Sequence, residues 1–415
     1  MFGLFSIRRA AALLVALPLI PGWNCGITCA QTEAIPARIA SVAQHSPQRT
    51  ARPKARPLPT DEERARTIEK LRELYSTDPS DWPAPELDPG VEHREIGPLK
   101  RAPHPEANPY SAAKRKLGEL LFYDPRLSGS GQIACASCHD SDLGWADGRT
   151  ASFGHNRRLL GRNSPSILNS GHRKTLFWDG RAPSLEQQAK DVLANADEMH
   201  SGDALFVGKL SEIPGYVTRF QEVFGVEKPT IDEVAMAIAC FERSVNGSRT
   251  KFDAFASGRN NALTDEALVG LHLFRTDARC MNCHNGPLFS DDEFHNLGMT
   301  HYGRRFEDLG RYNVTEEPTD VGKFRTPSLR NVVNTSPYMH NGLLDLDEAL
   351  LLYNAGMPNE RRRKGQLEDP LFPAKSPLIK PLGLNEQDLS DLKAFLASLS
   401  EPHRRIPPPE LPPGL

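Results

Sequence analysis

Residues 135–139 read CASCH and residues 280–284 read CMNCH. These two pentapeptides decide what the chain folds around. Two cysteines three positions apart can each form a thioether to one vinyl group of a haem, and the histidine that follows is then set under the iron as its ligand. With 7 Cys and 13 His in 415 residues, chance supplies about 0.004 such motifs, so two copies are not accidental. A zinc site would draw on both Cys pairs together and has no role for the adjacent His. A thioredoxin-type redox motif needs neither the His nor a second copy. The sequence therefore predicts two covalently bound haem c groups, one on Cys135, Cys138 and His139, the other on Cys280, Cys283 and His284.

Around the motifs the signals are helical. Thr230 and Glu233 form a capping box ahead of Ile231, Val234, Ala235, Ile238 and Val245, which are apolar at helical spacing. Cys240 lies in this helix and reads as a small buried residue. Ser184 with Gln187 caps another helix, and Leu389, Leu392, Phe395, Leu396 and Leu399 form the stripe of a last one. Strand-like alternation is nearly absent, and long loops rich in Gly, Pro and Asn separate the helices. The expected fold is all-α, with two cytochrome-c-like haem domains and long loops. The predicted organisation is a signal peptide over 1–30 and a Pro/Arg-rich extension over 31–108. An N-terminal domain over 109–255, a C-terminal domain over 256–402 and a Pro-rich tail over 403–415 complete it. Within the extension, 31 to about 60 reads as flexible linker, 61–75 as one short charged helix, and the rest as proline-rich coil.

The chain is 25% charged with a net charge of −3, which gives no reason to expect nucleic acid or an anionic membrane as partner. Arg8 and Arg9 precede an apolar run from Ala10 to Ile20, and Thr28 and Ala30 fit the small-residue positions of a secretory cleavage site. The run is too short to span a bilayer. Cleavage would remove Cys25 and Cys29 and leave five cysteines, an odd number that argues against a pure disulfide framework. Export also agrees with haem c, which is attached outside the cytoplasm. The expected location is the bacterial periplasm.

Further stretches carry a resemblance: SFGHNRRLLGRNSPSILN (152–169), FWDGRAPSLEQQA (177–189), ADEMH (196–200), FHNLGM (294–299), FRTPSLRN (324–331), TSPYMHNG (335–342) and LDEALLLYN (346–354). In this order they closely resemble the bacterial dihaem cytochrome c peroxidase family, from about Pro109 to Leu399. The resemblance implies that the haem on His139 is peroxidatic and that the haem on His284 accepts electrons from a small cytochrome c or copper protein. It implies that Trp178 lies between the haems, that Glu198 is the distal acid and that Met199 lines the pocket. A carboxyl group in a haem pocket of low dielectric can take a proton from bound peroxide and return it to the leaving oxygen. His155, nine residues before Ser164, matches the histidine that caps the peroxidatic iron in resting relatives. Asn163, Thr335 and Pro337 match the ligands of a calcium ion between the domains.

The sequence departs from the peroxidase pattern at Tyr353, where many relatives place a methionine ligand of the second haem. The preceding loop is one residue shorter, but Leu346 to Tyr353 keeps the spacing. Met299 and Met357 are alternative ligands off that spacing. Tyrosine here resembles the MauG-like subgroup, which uses peroxide to oxidise a residue on a partner protein. The leading reading is peroxide reduction. The alternatives are such protein oxidation and a non-enzymatic dihaem electron carrier, against which Glu198 argues because a carrier needs no distal acid. The expected partners are hydrogen peroxide, a small electron-donor protein, in the alternative a protein substrate, and a second copy of the chain. The run Arg361–Lys364 reads as solvated loop or as a docking surface.

Overall fold

The computed structural model describes residues 54–202, 208–247, 250–402 and 405–414. The signal-peptide reading, with Cys25 and Cys29, lies outside the described residues. The main helices are α1 (Asp61–Leu74), α2 (Ala112–Tyr123), α3 (Leu185–Ala194), α4 (Pro214–Phe224) and α5 (Ile231–Glu242). They continue as α6 (Lys251–Ala256), α7 (Asp265–Arg275), the one-turn α8 (Tyr312–Thr315), α9 (Leu346–Asn354) and α10 (Glu386–Ser398). One two-residue ladder, β1 (Phe294–His295) with β2 (Phe324–Arg325), pairs antiparallel with Phe294 opposite Arg325. The helix caps read from sequence are formed: Thr230 and Glu233 make a capping box at the start of α5, and the Ser184 hydroxyl accepts from the Gln187 N–H at the start of α3.

The described residues hold two large apolar cores, one drawn mainly from residues before 250 and the other mainly from residues after it. One contains Leu117, Leu121, Trp145, Tyr216, Ile238 and Phe241. The other contains Phe252, Leu268, Phe274, Phe289, Phe395 and Leu399. Each is built on one close helix crossing, and the two crossings repeat each other. A β-carbon at Gly118 of α2 would fall 1.8 Å from the Ala237 carbonyl oxygen of α5 and 3.0 Å from Phe241 Cβ. A β-carbon at Gly270 of α7 would fall 2.0 Å from the Asp391 carbonyl oxygen of α10 and 2.8 Å from Phe395 Cβ. Only glycine lets the backbones meet this closely. In both halves the glycine helix leads into a Cys-x-x-Cys-His turn, so the same crossing carries each motif.

Past α1 the extension is almost wholly without regular structure, as its composition predicts, but it is packed against the protein. Leu71, Tyr75, Trp82 and Ile96 are buried in the C-terminal core. The Tyr75 hydroxyl lies 3.0 Å from His272 Nδ1, and the buried Arg275 pairs with Glu95. Of the linker predicted over 31–60, the described part is also fastened: Arg56 pairs with Asp388 at 2.5 Å and Asp277 at 2.7 Å. A few well-spaced aromatic and charged side chains outweigh the low average hydropathy. The Pro-rich tail is fastened likewise, with Pro412 buried and its carbonyl accepting from Arg126 at 2.9 Å. Among the described residues no helix is long and apolar enough to cross a membrane.

Candidate functional site

Each motif folds as a single 3-10 turn, Cys135–Ser137 and Cys280–Asn282. The following His turns its N–H back to the first Cys, His139 to the Cys135 carbonyl at 3.0 Å and His284 to the Cys280 carbonyl at 2.8 Å. Both rings are anchored the same way. His139 Nδ1 lies 3.2 Å from the Trp145 carbonyl oxygen, and His284 Nδ1 lies 3.0 Å from the Phe289 carbonyl oxygen. A carbonyl accepts, so the proton sits on Nδ1 and the lone pair on Nε2, the tautomer a metal ligand requires. Burial holds both imidazoles below their ordinary pKa, which keeps that lone pair available. Cys135, Cys138, Cys280 and Cys283 are free thiols.

All four cysteines and both histidines line one cavity of about 1110 Å³. The cavity is mainly apolar, with Ile133, Leu193, Ile238, Leu329, Leu350 and Leu392 on its walls. Its charged lining is concentrated where the two halves meet. Arg173 and Arg325, each 8% exposed at the side chain, share Asp292 at 2.8 and 3.3 Å. Two buried cations on one carboxylate leave a surplus positive charge in a place of low dielectric. Burial, with Arg173 beside it, brings the Arg325 guanidinium down to about 9. A porphyrin carrying carboxylates is the complement such a surplus calls for. Thiols, oriented imidazoles, apolar walls and buried guanidiniums together fit haem c.

Trp178, 9% exposed, lines this cavity. Its indole N–H donates to the Asn163 carbonyl at 2.9 Å, and its own carbonyl accepts from the Arg325 N–H at 2.8 Å, so residues from both halves fix it. Arg162 adds a second link, pairing with Asp179 and with Asp308, each at 2.6 Å.

Glu198 and Met199 lie in the turn that follows α3, and both line the cavity. The turn is set by Asn195, whose side-chain oxygen accepts from the Asp197 N–H at 2.9 Å and whose carbonyl accepts from the Glu198 N–H at 3.2 Å. On its other side the His155 N–H donates to both the Asp197 and Glu198 carbonyls at 2.9 Å. Burial pushes the Glu198 carboxyl above its ordinary range, with Arg181 opposing.

His155 itself is not brought to the cavity. Its ring packs against His200, centroids 4.4 Å apart, and is absent from the lining that holds its neighbours Gly154 and Arg158. The backbone clasp on 197–198 fixes the residue, and its ring Nδ1 is buried with no hydrogen-bond partner. Asn163, Thr335 and Pro337 each line the cavity. The Asn163 amide nitrogen donates to the Arg149 carbonyl at 2.8 Å, which turns the amide oxygen the other way, and neutral oxygen donors of this kind suit calcium.

Tyr353 reaches the cavity from the last turn of α9. The next residue locks that helix end: Asn354 Nδ2 donates to the Leu384 carbonyl at 3.0 Å and its Oδ1 accepts from the Leu384 N–H at 2.9 Å. Burial raises the Tyr353 hydroxyl, with the Cys283 and Cys280 charges adding to it. Met299 also lines the cavity and Met357 does not. Cys283, Asp291 and His295 bring ligand atoms within 4.8 Å of one another. Cys283 is also a predicted haem-attachment cysteine, so this trio overlaps the second Cys-x-x-Cys-His motif.

Four features were missed from sequence. They are the Arg173–Asp292–Arg325 cluster, the Arg162 link, the backbone contact of Gly154 with the Glu198 turn, and a buried glutamate, Glu242, on the cavity wall. Each depends on residues far apart in the chain, and only the position of Glu242 in an otherwise apolar helix could have drawn notice.

Comparison with known proteins agrees with this geometry. The family model for di-haem cytochrome c peroxidases matches residues 112–261. The chain is 40% identical over 335 residues to cytochrome-c peroxidase IdrP1 of Denitromonas iodatirespirans, covering 74% of this chain and 86% of that protein. It is 38% identical over 314 residues to the methylamine utilization protein MauG of Methylorubrum extorquens, covering 75% and 84%. A crystal structure of a MauG-like protein associated with microbial copper homeostasis superposes with a TM-score of 0.65 at 31% identity, covering 76% of this chain and 96% of that one. With two oriented Cys-x-x-Cys-His turns on one cavity and relatives matched over most of their length, this chain belongs to the di-haem cytochrome c peroxidase family.

Proposed function

We propose that this chain reduces hydrogen peroxide to water in the bacterial periplasm. The electrons come from a small c-type cytochrome or copper protein. The observation that carries the reading is Glu198, a carboxyl raised by burial and opening on the same cavity as the His139 imidazole. A haem held at His139 would supply the redox chemistry for reducing the O–O bond. Cys135 and Cys138 would hold that haem covalently, and Cys280 and Cys283 the second, with His284 as the residue to ligate its iron. Glu198 takes one proton from peroxide and delivers it to the departing oxygen. Two electrons and two further protons complete the conversion of peroxide to two waters. Trp178, fixed from both halves, relays electrons between the haems. Met199 narrows the pocket beside the acid. The buried Arg173 and Arg325 balance the haem carboxylates, and Asn163, Thr335 and Pro337 hold calcium at the seam.

Tyr353 favours a second reading. A phenolate on the second haem stabilises oxidised iron, which suits an enzyme that withdraws electrons from a residue on a partner protein. The test of the leading reading is Glu198→Gln. It keeps the shape and removes the proton shuttle, so peroxide reactivity should fall about a hundredfold to ten-thousandfold with both haems retained. Near-parental reactivity would overturn the assignment of the acid.

A further inference from the structure

Glu242 ends α5 with its side chain inside the protein. It is 4% exposed, it lines the haem cavity, and its Oε2 is buried with no hydrogen-bond partner. The helix places it there: Ile238, one turn earlier, lines the same cavity and belongs to the N-terminal core. The Glu242 charge is felt at the Cys135 thiol, where the first haem attaches. A carboxylate at a helix C-terminus faces the negative end of the dipole. A buried one without a partner is costly.

The Arg243 charge opposes the effect of burial on Glu242, but it comes second to burial. Arg243, the next residue, is spent on Glu186 of α3 through two bonds of 2.6 and 2.9 Å. Glu186 itself is a like charge. On α2, Lys114 donates to Asn108 and to the Pro109 carbonyl, both at 2.9 Å. Arg115 is engaged with Ser244 at 3.2 Å and Glu119 at 3.1 Å, and Glu119 is acidic. In the Ser170–His172 turn that also packs on α5, burial keeps His172 neutral. Burial accordingly raises the Glu242 carboxyl to about 8. A haem held on Cys135 and Cys138 would bring to this surrounding a charge that changes with each electron it accepts or passes on.

Resting on the haem reading above, we propose that Glu242 is a redox-linked proton site of the N-terminal haem. Its carboxylate takes up one proton from solvent when that haem accepts one electron relayed from the second haem. It releases the proton when the electron passes on to peroxide. The oxidised haem carries one more positive charge and favours the carboxylate, whereas the reduced haem favours the acid. By reciprocity, the potential of this haem must fall as pH rises between the two pKa values of Glu242.

The experiment is a potentiometric titration of the purified holoenzyme, followed optically, from about pH 6 to about pH 9, a span bracketing a carboxyl raised this far. The parent should show a potential that declines with pH for the N-terminal haem. Glu242→Gln, nearly isosteric, should be flat over the same span. As a second readout, reduced-minus-oxidised infrared spectra of the parent should contain a protonated carboxyl band that Glu242→Gln lacks. An unchanged pH slope in Glu242→Gln would overturn the proposal. So would the absence of any such band from the parent, which needs no variant to fold. Intact mass separates this failure from that of the broader reading. Two covalent haems with no slope sink only the proton site, whereas missing haems sink the peroxidase itself.

Discussion

Gly154 is where a single methyl group should disable the acid without touching it. A β-carbon at this position would fall 1.9 Å from the Asp197 carbonyl oxygen and 3.1 Å from Glu198 Cα. The Gly154 φ of −93° is open to any residue, so the constraint is contact and not conformation. To restore ordinary van der Waals distance the 197–198 turn must retreat by roughly 1.5 Å. The turn cannot yield by side-chain rotation, because the atom it presents is backbone and the adjacent His155 N–H holds both carbonyls at 2.9 Å. The displacement therefore passes to the Glu198 carboxyl. Misplacing a reacting group by about 1 Å can cost about a hundredfold in rate, so Gly154→Ala should slow the reaction with peroxide by about that factor. Stopped-flow mixing with peroxide measures it, with covalent haem content checked by mass. In the double variant with Glu198→Gln the two effects should not add, since a displaced glutamine loses nothing more. A Gly154→Ala protein that reacts within about threefold of the parent would refute the placement of the acid by this backbone contact.

Three other outcomes follow from particular residues. Tyr353→Phe should abolish the low-spin ferric signal of the second haem, read by electron paramagnetic resonance; an unchanged signal would mean that the tyrosine only packs or that Met299 is the ligand. Glu186 is subject to burial, which raises it, but Arg243 and Asn108 hold it at about 2 against an ordinary 4.5. Its contribution is thus full above about pH 4.5 and is lost as pH falls toward 2. Glu186→Gln should flatten the acid limb of thermal stability in that window by about 3 kcal/mol. The buried pair of Arg330 with Asp253, both guanidinium contacts at 3.0 Å, predicts that Arg330→Ala strands the carboxylate and costs about 3–5 kcal/mol, measured by denaturant unfolding.

The chemistry was most legible where it is local. The haem motifs are fixed by covalent reach between neighbours, and the helix starts by side chains three residues apart, so both survive translation into structure unchanged. The resemblance also placed Trp178, Glu198 and Tyr353 on positions that converge on one cavity. What could not be read is what depends on distant partners. Trp82 and Ile96 look like strays in a proline-rich stretch until the C-terminal core closes over them. Arg173, Asp292 and Arg325 are three ordinary surface letters until folding buries them on one site. The ring contact of His155 with His200, centroids 4.4 Å apart, is likewise invisible in the sequence.

The central claim meets its most direct test in one assay: the oxidation of a reduced small c-type cytochrome by hydrogen peroxide with catalytic amounts of the purified dihaem protein. The account predicts sustained turnover, two cytochromes oxidised per peroxide consumed, and loss of that turnover in Glu198→Gln. A protein with both haems attached that reacts with peroxide but leaves the reduced cytochrome unoxidised would contradict it and leave oxidation of a partner protein as the function.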